Sequence, residues 1–308
     1  MREPISRARR RDERGSELPA PVVVVGAGWI GSRVAIELAA SGVAVVAATR
    51  SGAWRGEGPR PTRVSLRALD LLRDDPADVA AALAVGRAAV ACLAPGRDQE
   101  RRSVYVDGAR RFALSSAAAS LARAVWCSST SALPAADGDV GEDCDAWPLD
   151  ERGRVQREAE EVFREGCRAS GIPWVILRLA GLYGPGRDLE RLYRRPPTRG
   201  GHIGASAGAD ESPLPGDGSE PTNLVHRDDV VAAIIAALRL DPSVSTLVHV
   251  CDRDHTTRRE LLARLAARDG SPPPRWEREA GPPRGKRVAS VRLEAILGVV
   301  LAHPRHTP

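Results

Sequence analysis

Lysine occurs once in this chain, at Lys286, and methionine once, with two phenylalanines and three tyrosines, Tyr105, Tyr183 and Tyr193. Ammonium and phenol groups therefore have very few addresses. Cysteine is sparse and odd in number: Cys92, Cys127, Cys144, Cys167 and Cys251 are scattered and form no CxxC pair. That spacing points to reduced thiols and excludes a disulfide framework or a cysteine zinc site. Long apolar runs are missing as well. None reaches the roughly 18–20 residues needed to span a bilayer, and the opening "MREPISRARRRDERGSELPAP" has no apolar core of a secretory signal. A cytoplasmic location is expected.

Basic charge is plentiful, with a net charge of +5 and a pI of about 9.3. A nucleic-acid partner would account for it. So would a GC-rich coding sequence, because nearly every basic residue is Arg and the chain is rich in Ala, Gly and Pro. The one clear basic cluster, Arg7 to Arg14, is interleaved with acids and reads as a solvated tail over residues 1–20. No nucleic-acid or membrane partner is expected.

With 308 residues, 43% of them hydrophobic, the chain can form one large α/β domain with a small companion region. Val22–Val25 is a β-branched run suited to a buried parallel strand. It leads into "GAGWIGSRVAIELAASG", where Ile30, Val34 and Leu38 share one helical face and Gly42 marks a stop. "VAVVAATR", Ala88–Pro95, Arg123–Ser129 and Pro173–Leu179 read as further strands. Helical stretches alternate with them at Pro76–Leu83, Val104–Leu121, Arg152–Ser170 and Asp228–Leu240. This alternation predicts an α/β, Rossmann-type, doubly wound parallel sheet. Gly184–Pro221 and Pro272–Gly285 break the rhythm with Gly, Pro and Arg. The expected organisation is a nucleotide-binding domain over 21–180, completed by 222–250. A small, irregular lid and C-terminal substrate region covers 181–221 and 251–308.

Gly26, Gly28 and Gly31 fit G-x-G-x-x-G between a strand and a helix, with Trp29 and Ile30 between the last two glycines. The first glycine allows the tight turn and the second lets backbone approach a pyrophosphate. The third allows close helix–strand packing, and the helix N-terminus faces the anion. An NAD site usually carries an acid about 20 residues on, bonded to the ribose 2′-OH. Here the second strand ends Thr49-Arg50-Ser51, and no acid follows until Glu57. An arginine between two hydroxyls suits a 2′-phosphate, so NADP(H) is the expected cofactor.

From about Pro21 to His303 the chain resembles the extended short-chain dehydrogenase/reductase superfamily, which contains the NAD-dependent epimerase/dehydratases. It is most similar to the atypical branch lacking the Tyr-x-x-x-Lys pair. "ALDLLRDD" resembles the family's D-L-x-D, which implies that Asp70 and Leu71 border the adenine. "CLAPGR" stands where the fourth strand lines the cofactor, which implies roles for Leu93 and Ala94. "VYVDGARRF" resembles the N-V-x-G-T helix, and "CSSTSALP" places Ser129 at the catalytic serine. "LRLAGLYGPGR" matches L-R-x-x-N-V-Y-G-P-G except at Gly181. "NLVHRDDVVAAI" and "GKRVASVRLEAILG" resemble the family's later blocks.

The family's catalytic helix carries a tyrosine that moves the substrate proton. Four residues on, a lysine depresses the tyrosine pKa and holds the nicotinamide ribose. The aligned stretch here reads "RGRVQREAE", with Arg152 and Gln156 at those places and Glu160 at the final acid, and no Tyr-x-x-x-Lys occurs anywhere. Gln156 then stands at the cofactor ribose. Ser129 can hydrogen-bond a carbonyl, and Arg152 can stabilise a developing alkoxide although it does not release a proton. Tyr183 and His202 are the candidate proton donors if the loop folds over the cleft. His226, before Asp228 and Asp229, reads as a helix start, and no histidine spacing predicts a metal site. Gly181 offers no side chain where sugar-nucleotide enzymes hold substrate phosphates. Three readings follow: an NADP-dependent oxidoreductase acting on a small carbonyl, imine or alcohol; an epimerase or dehydratase that retains its cofactor; or a non-catalytic NADP-binding sensor or assembly protein. A small-molecule substrate and a homodimer are the expected partners.

Overall fold

The computed structural model of the protein describes residues 18–189 and 213–303. Most of the expected basic tail lies outside the described residues, as do the lid residues Arg191, Arg194, Arg195, Arg199 and His202.

The all-β-branched run Val22–Val25 forms β1, an interior strand of a seven-stranded sheet. Around it lie β2 (Val45–Thr49), β3 (Val64–Ala68), β4 (Ala88–Ala91), β5 (Arg123–Ser129), β7 (Trp174–Leu179) and β10 (Thr246–Val250). The order is β10-β7-β5-β4-β1-β2-β3, and every pairing is parallel. Val22 faces Val45 on one side and Ala88 on the other. Helices cover both faces, as a parallel sheet requires. Val22 and Val24 point into a core with Val34 and Leu38 of α1 (Gly31–Ala40) and Val230 and Ile234 of α5 (Arg227–Arg239). Val23 and Val25 point the opposite way. They meet α2 (Pro76–Leu83), α3 (Gly108–Ala118) and α4 (Glu151–Ala169) through Val79, Phe112 and Phe163. Trp126, Phe112 and Phe163 pack with ring centroids 5.7–6.2 Å apart. Each such buried side chain contributes roughly 1.5–3 kcal/mol.

Start signals act where the sequence places them. Asp75 caps α2 with Pro76 at its first position, and Asp150 caps α4 by accepting from Gly153 N at 2.8 Å. The helix expected over 104–121 opens instead as a π turn, Ser103–Asp107, and becomes α-helical at Gly108. The strand expected over 88–95 ends at Ala91, although Cys92 N still bonds Val25 O. Two short parallel pairs lie outside the sheet. One joins β6 (Gly138–Val140) to β11 (Lys286–Val288), and the other joins β8 (Gly181–Tyr183) to β9 (Leu224–His226). A small separate core of Leu214, Leu224, Leu261, Leu262 and Leu265 lies against α6 (Arg258–Arg268). A short α7 (Val291–Ala295) follows β11. Among the described residues no helix is long and apolar enough to cross a membrane.

Candidate dinucleotide cleft and active site

Strand order reverses between β1 and β4, and that crevice is where open α/β sheets bind ligands. The glycine turn sits at its mouth. Gly26 has φ +84°, and a Cβ there would meet the Cys92 carbonyl oxygen at 2.6 Å. A Cβ on Gly31 would meet the Gly26 carbonyl oxygen at 2.5 Å. At Gly28 a Cβ would meet nothing within 4 Å. Two glycines are thus dictated by the protein's own packing, whereas the middle one borders open space. That is the cradle a pyrophosphate needs. Ile30 leads into α1 without a side-chain cap, and no acid occupies the first turn, so the helix end is open to an anion.

At the end of β2, Thr49 Oγ1 donates to Ala53 O (3.2 Å), and Ser51 Oγ accepts from Ala53 N (3.4 Å). Both hydroxyls shape the turn that carries Arg50. The exposed Arg50 reaches across to the turn after β4, with Nη2 3.3 Å from where a Gly96 Cβ would stand. Glu57, the first acid after β2, is committed elsewhere: it pairs with Arg227 at 2.5 Å. That hydrogen bond holds the Glu57 carboxyl below the usual carboxylate range. Asp70 turns its Oδ1 onto Leu72 N, and Leu71 and Leu93 converge on Gly108. Ala94 is exposed.

Trp29 ties three segments together. Its Nε1 donates to Pro185 O (3.0 Å), Arg187 stacks on the ring at 4.2 Å, and Arg227 lies 5.3 Å from the centroid. Arg227 itself is buried against Glu57 and Asp228. Nothing in the glycine motif signals this contact, because Arg187 and Arg227 are remote in sequence.

The end of β5 carries two adjacent serines with different surroundings. Ser129 is half-buried, and its Oγ accepts from Ser131 N (3.2 Å), opening a 3-10 turn at Thr130–Ala132. Gly153 on α4 packs on that turn so closely that a Cβ would lie 2.6 Å from Ser131 O. This seats Arg152, exposed in the first turn of α4, beside the turn that follows Ser129. Ser128 is buried and gives its single proton to Glu160 at 2.6 Å. The buried Gln156 stands beside it, with Oε1 3.5 Å from the serine Oγ. Glu160 accepts from Arg178 Nε and Nη2 at 2.7–3.1 Å, and Arg178 Nη1 faces His249 Nε2 at 3.3 Å. His249 Nδ1 lies 2.8 Å from Ala289 O, so it carries the proton and Nε2 is the acceptor. Burial pushes the His249 pKa down to about 4. Arg178 in "WVILRL" and His249 in "TLVHV" were the available signals for this chain, since a charge or imidazole inside a buried strand demands a partner.

Tyr183 stands to one side: its hydroxyl donates to His303 O (2.8 Å) and its ring meets His226 edge-on. A proton-donor role there requires that bond to exchange. His226 starts α5, its Nδ1 accepting from Asp228 N at 3.2 Å, and stacks on His303 at 4.1 Å. His226, Asp228 and His303 bring donor atoms within 4.8 Å of one another, a grouping that no sequence spacing reveals. Asp228 is already paired with Arg33 and Arg227, so a cation there would meet two guanidiniums. Lys286 donates from Nζ to the carbonyls of Thr130, Leu133 and Pro134 at 3.0–3.4 Å, bracing the turn after Ser129. Burial pushes its ammonium pKa down.

Comparison with known proteins agrees with this geometry. The model of the NAD dependent epimerase/dehydratase family matches residues 22–248. Protein YeeZ of Escherichia coli is 29% identical over 288 residues, which cover 92% of this chain and 96% of the relative. The 3-diazoavenalumate denitrifying reductase of a Streptomyces species is 28% identical over 251 residues, covering 78% and 74%. Among solved structures, MoeE5 in complex with UDP-glucose and NAD superposes with a TM-score of 0.72 at 23% identity. It covers 92% of this chain and 93% of that one, a likeness of fold. A glycine turn built around an open cradle, at the reversal point of a parallel sheet and within a family match spanning most of the chain, leads to one assignment: the chain belongs to the NAD-dependent epimerase/dehydratase family of the extended short-chain dehydrogenase/reductase superfamily.

Proposed function

We propose that the protein is an NADP(H)-dependent oxidoreductase acting on a small carbonyl, imine or alcohol. The observation that carries the cofactor choice is the end of β2. Arg50 is presented there on a turn shaped by Thr49 and Ser51, while the nearest following acid, Glu57, is spent on Arg227. A guanidinium can make two charge-assisted bonds to a 2′-phosphate, whereas an NAD site usually carries a carboxylate at this strand end for the ribose 2′-OH. The backbone at Gly26, Gly28, Trp29, Ile30 and Gly31 would hold the pyrophosphate, with Asp70, Leu71, Leu93 and Ala94 toward the adenine and Gln156 toward the nicotinamide ribose. The nucleotide supplies the hydride chemistry when bound. Ser129 orients the substrate oxygen or nitrogen, and Arg152 offsets negative charge developing on it. The Streptomyces relative named as a reductase supports this reading.

A second reading is favoured by one set of observations. Tyr183, Ser129 and Lys286 all have their polar atoms engaged with backbone groups. A non-catalytic NADP-binding protein would show this. An epimerase that keeps its nucleotide would instead copurify with it and return it unchanged. Incubating the protein with NADPH and a panel of ketones, aldehydes and imines separates the three. Consumption of free NADPH supports the oxidoreductase, and tight binding with no turnover across the panel refutes it. Arg50→Glu is expected to weaken NADPH far more than NADH, and equal effects refute the NADP assignment.

A further inference from the structure

We propose that Cys92 and Cys127 form a redox-modification site on the floor of the dinucleotide cleft, where a peroxide-class oxidant joins them as a disulfide and a bound nucleotide shields them. The two stand directly after facing residues of neighbouring parallel strands, since Ala91 of β4 pairs with Trp126 of β5. Their sulfurs are 3.7 Å apart. Adjacent strands run about 4.8 Å apart, within the span of roughly 4.4–6.8 Å that disulfides bridge between Cα atoms. Cys127 is buried and Cys92 half-buried, so one member of the pair is reachable and the other is held behind it. Cys167 and Cys251 are fully buried, and Cys251 Sγ lies 3.3 Å from Asp252 O.

The position matters as much as the distance. Cys92 N bonds Val25 O at 2.9 Å, and the Cys92 carbonyl is the atom that a Gly26 Cβ would strike. The backbone of Cys92 is therefore one wall of the phosphate turn, at the reversal between β1 and β4. Bridging draws the ends of β4 and β5 together and moves that wall. This consequence rests on the nucleotide assignment above, whereas bridge formation does not.

The chemistry balances with one peroxide. The Cys92 thiolate attacks a peroxide oxygen; the S–O bond forms, the O–O bond breaks, and the departing hydroxide becomes water with the proton that Cys92 released. The Cys127 sulfur then attacks the Cys92 sulfur. The S–S bond forms, the S–O bond breaks, and the leaving hydroxide takes the Cys127 proton as the second water. Two thiols lose two electrons and peroxide gains them. Its S–H contact to Cys92 and its burial both push the Cys127 pKa up, which keeps its proton in place until the second step. Added thiol reverses the modification, because its thiolate attacks a bridge sulfur and a second exchange restores both cysteines.

The test treats the full chain with hydrogen peroxide in the absence of nucleotide. The expected result is a loss of about 2 Da in intact mass, with peptide mapping that links Cys92 to Cys127. NADPH affinity, read by calorimetry, is expected to fall about tenfold and to recover with dithiothreitol, and NADPH present during oxidation is expected to slow bridging. Cys127→Ser is expected to abolish the link and leave a dimedone-reactive sulfenic acid on Cys92. Oxidation of Cys92 to sulfinic acid with no link in the wild-type protein overturns the thiol pair. A link that forms equally fast with NADPH bound, in protein that does bind NADPH, overturns its place in the cleft. Protein that forms the link but gives no NADPH heat before oxidation refutes the nucleotide assignment and leaves the thiol pair standing.

Discussion

Replacing Glu160 with Gln keeps the side chain's shape and removes its charge. The loss falls on Arg178, which is fully buried and bonds the carboxylate through both Nε and Nη2. Its remaining nitrogen faces His249, whose ring stays neutral because burial holds its pKa near 4, so among the described residues Glu160 is the anion bonded to the guanidinium. The amide offers one oxygen where the carboxylate had two, so Ser128 and Arg178 compete for a single acceptor. Removing one partner of a buried ion pair typically costs about 3–5 kcal/mol, because the other charge is left uncompensated. At roughly 2.1 cal/mol/K per residue, a chain of 308 residues unfolds with an entropy near 0.65 kcal/mol/K, so Tm should fall by about 5–8 °C. Scanning calorimetry reads this directly. The double variant Glu160→Leu with Arg178→Met removes both charges and should recover most of the loss. A Tm within about 1 °C of wild type for Glu160→Gln, or a double variant worse than the single, would show that the pair is not the buried brace described.

Further predictions follow from the same region. Below about pH 6.5 the unfolded chain protonates His249, whereas the folded protein refuses the proton until about pH 4. The unfolded state therefore binds more protons in that window, and stability falls with falling pH by on the order of 3 kcal/mol across it. Denaturant midpoints measured through the window should show this slope, and His249→Gln should flatten it. Arg152→Ala should slow turnover on the order of tenfold or more while leaving NADPH affinity nearly intact. Unchanged rate and affinity would make Arg152 a surface residue.

Periodicity and punctuation carried most of the fold. The valine run, the helix with Ile30, Val34 and Leu38 on one face, and the helical stretch Pro76–Leu83 depend on local physics, so a single sequence shows them. The π turn at Ser103–Asp107 and the two short strand pairs outside the sheet depend on long-range partners and leave no periodic mark. The same divide runs through the site. The glycine turn was legible from its spacing between a strand and a helix, and the packing that dictates Gly26 and Gly31 matches that motif, whereas Gly28 borders open space. The ion pair of Glu160 with Arg178, the contacts of Arg187 and Arg227 with the Trp29 ring and the bracing of the Ser129 turn by Lys286 join residues far apart in the chain. Tyr183 was named as a proton donor from its motif alone, and only the fold reveals that its hydroxyl meets the His303 carbonyl.

The pyridine nucleotide is tested most directly at Gly28, where an added Cβ has no protein atom within 4 Å yet would stand in the proposed phosphate cradle. Calorimetric titration of NADPH into wild-type protein and into Gly28→Val should show binding in the first and none in the second, with Tm values that differ little. Equal heats in both proteins, or no heat in the wild type with either NADPH or NADH, would contradict the account.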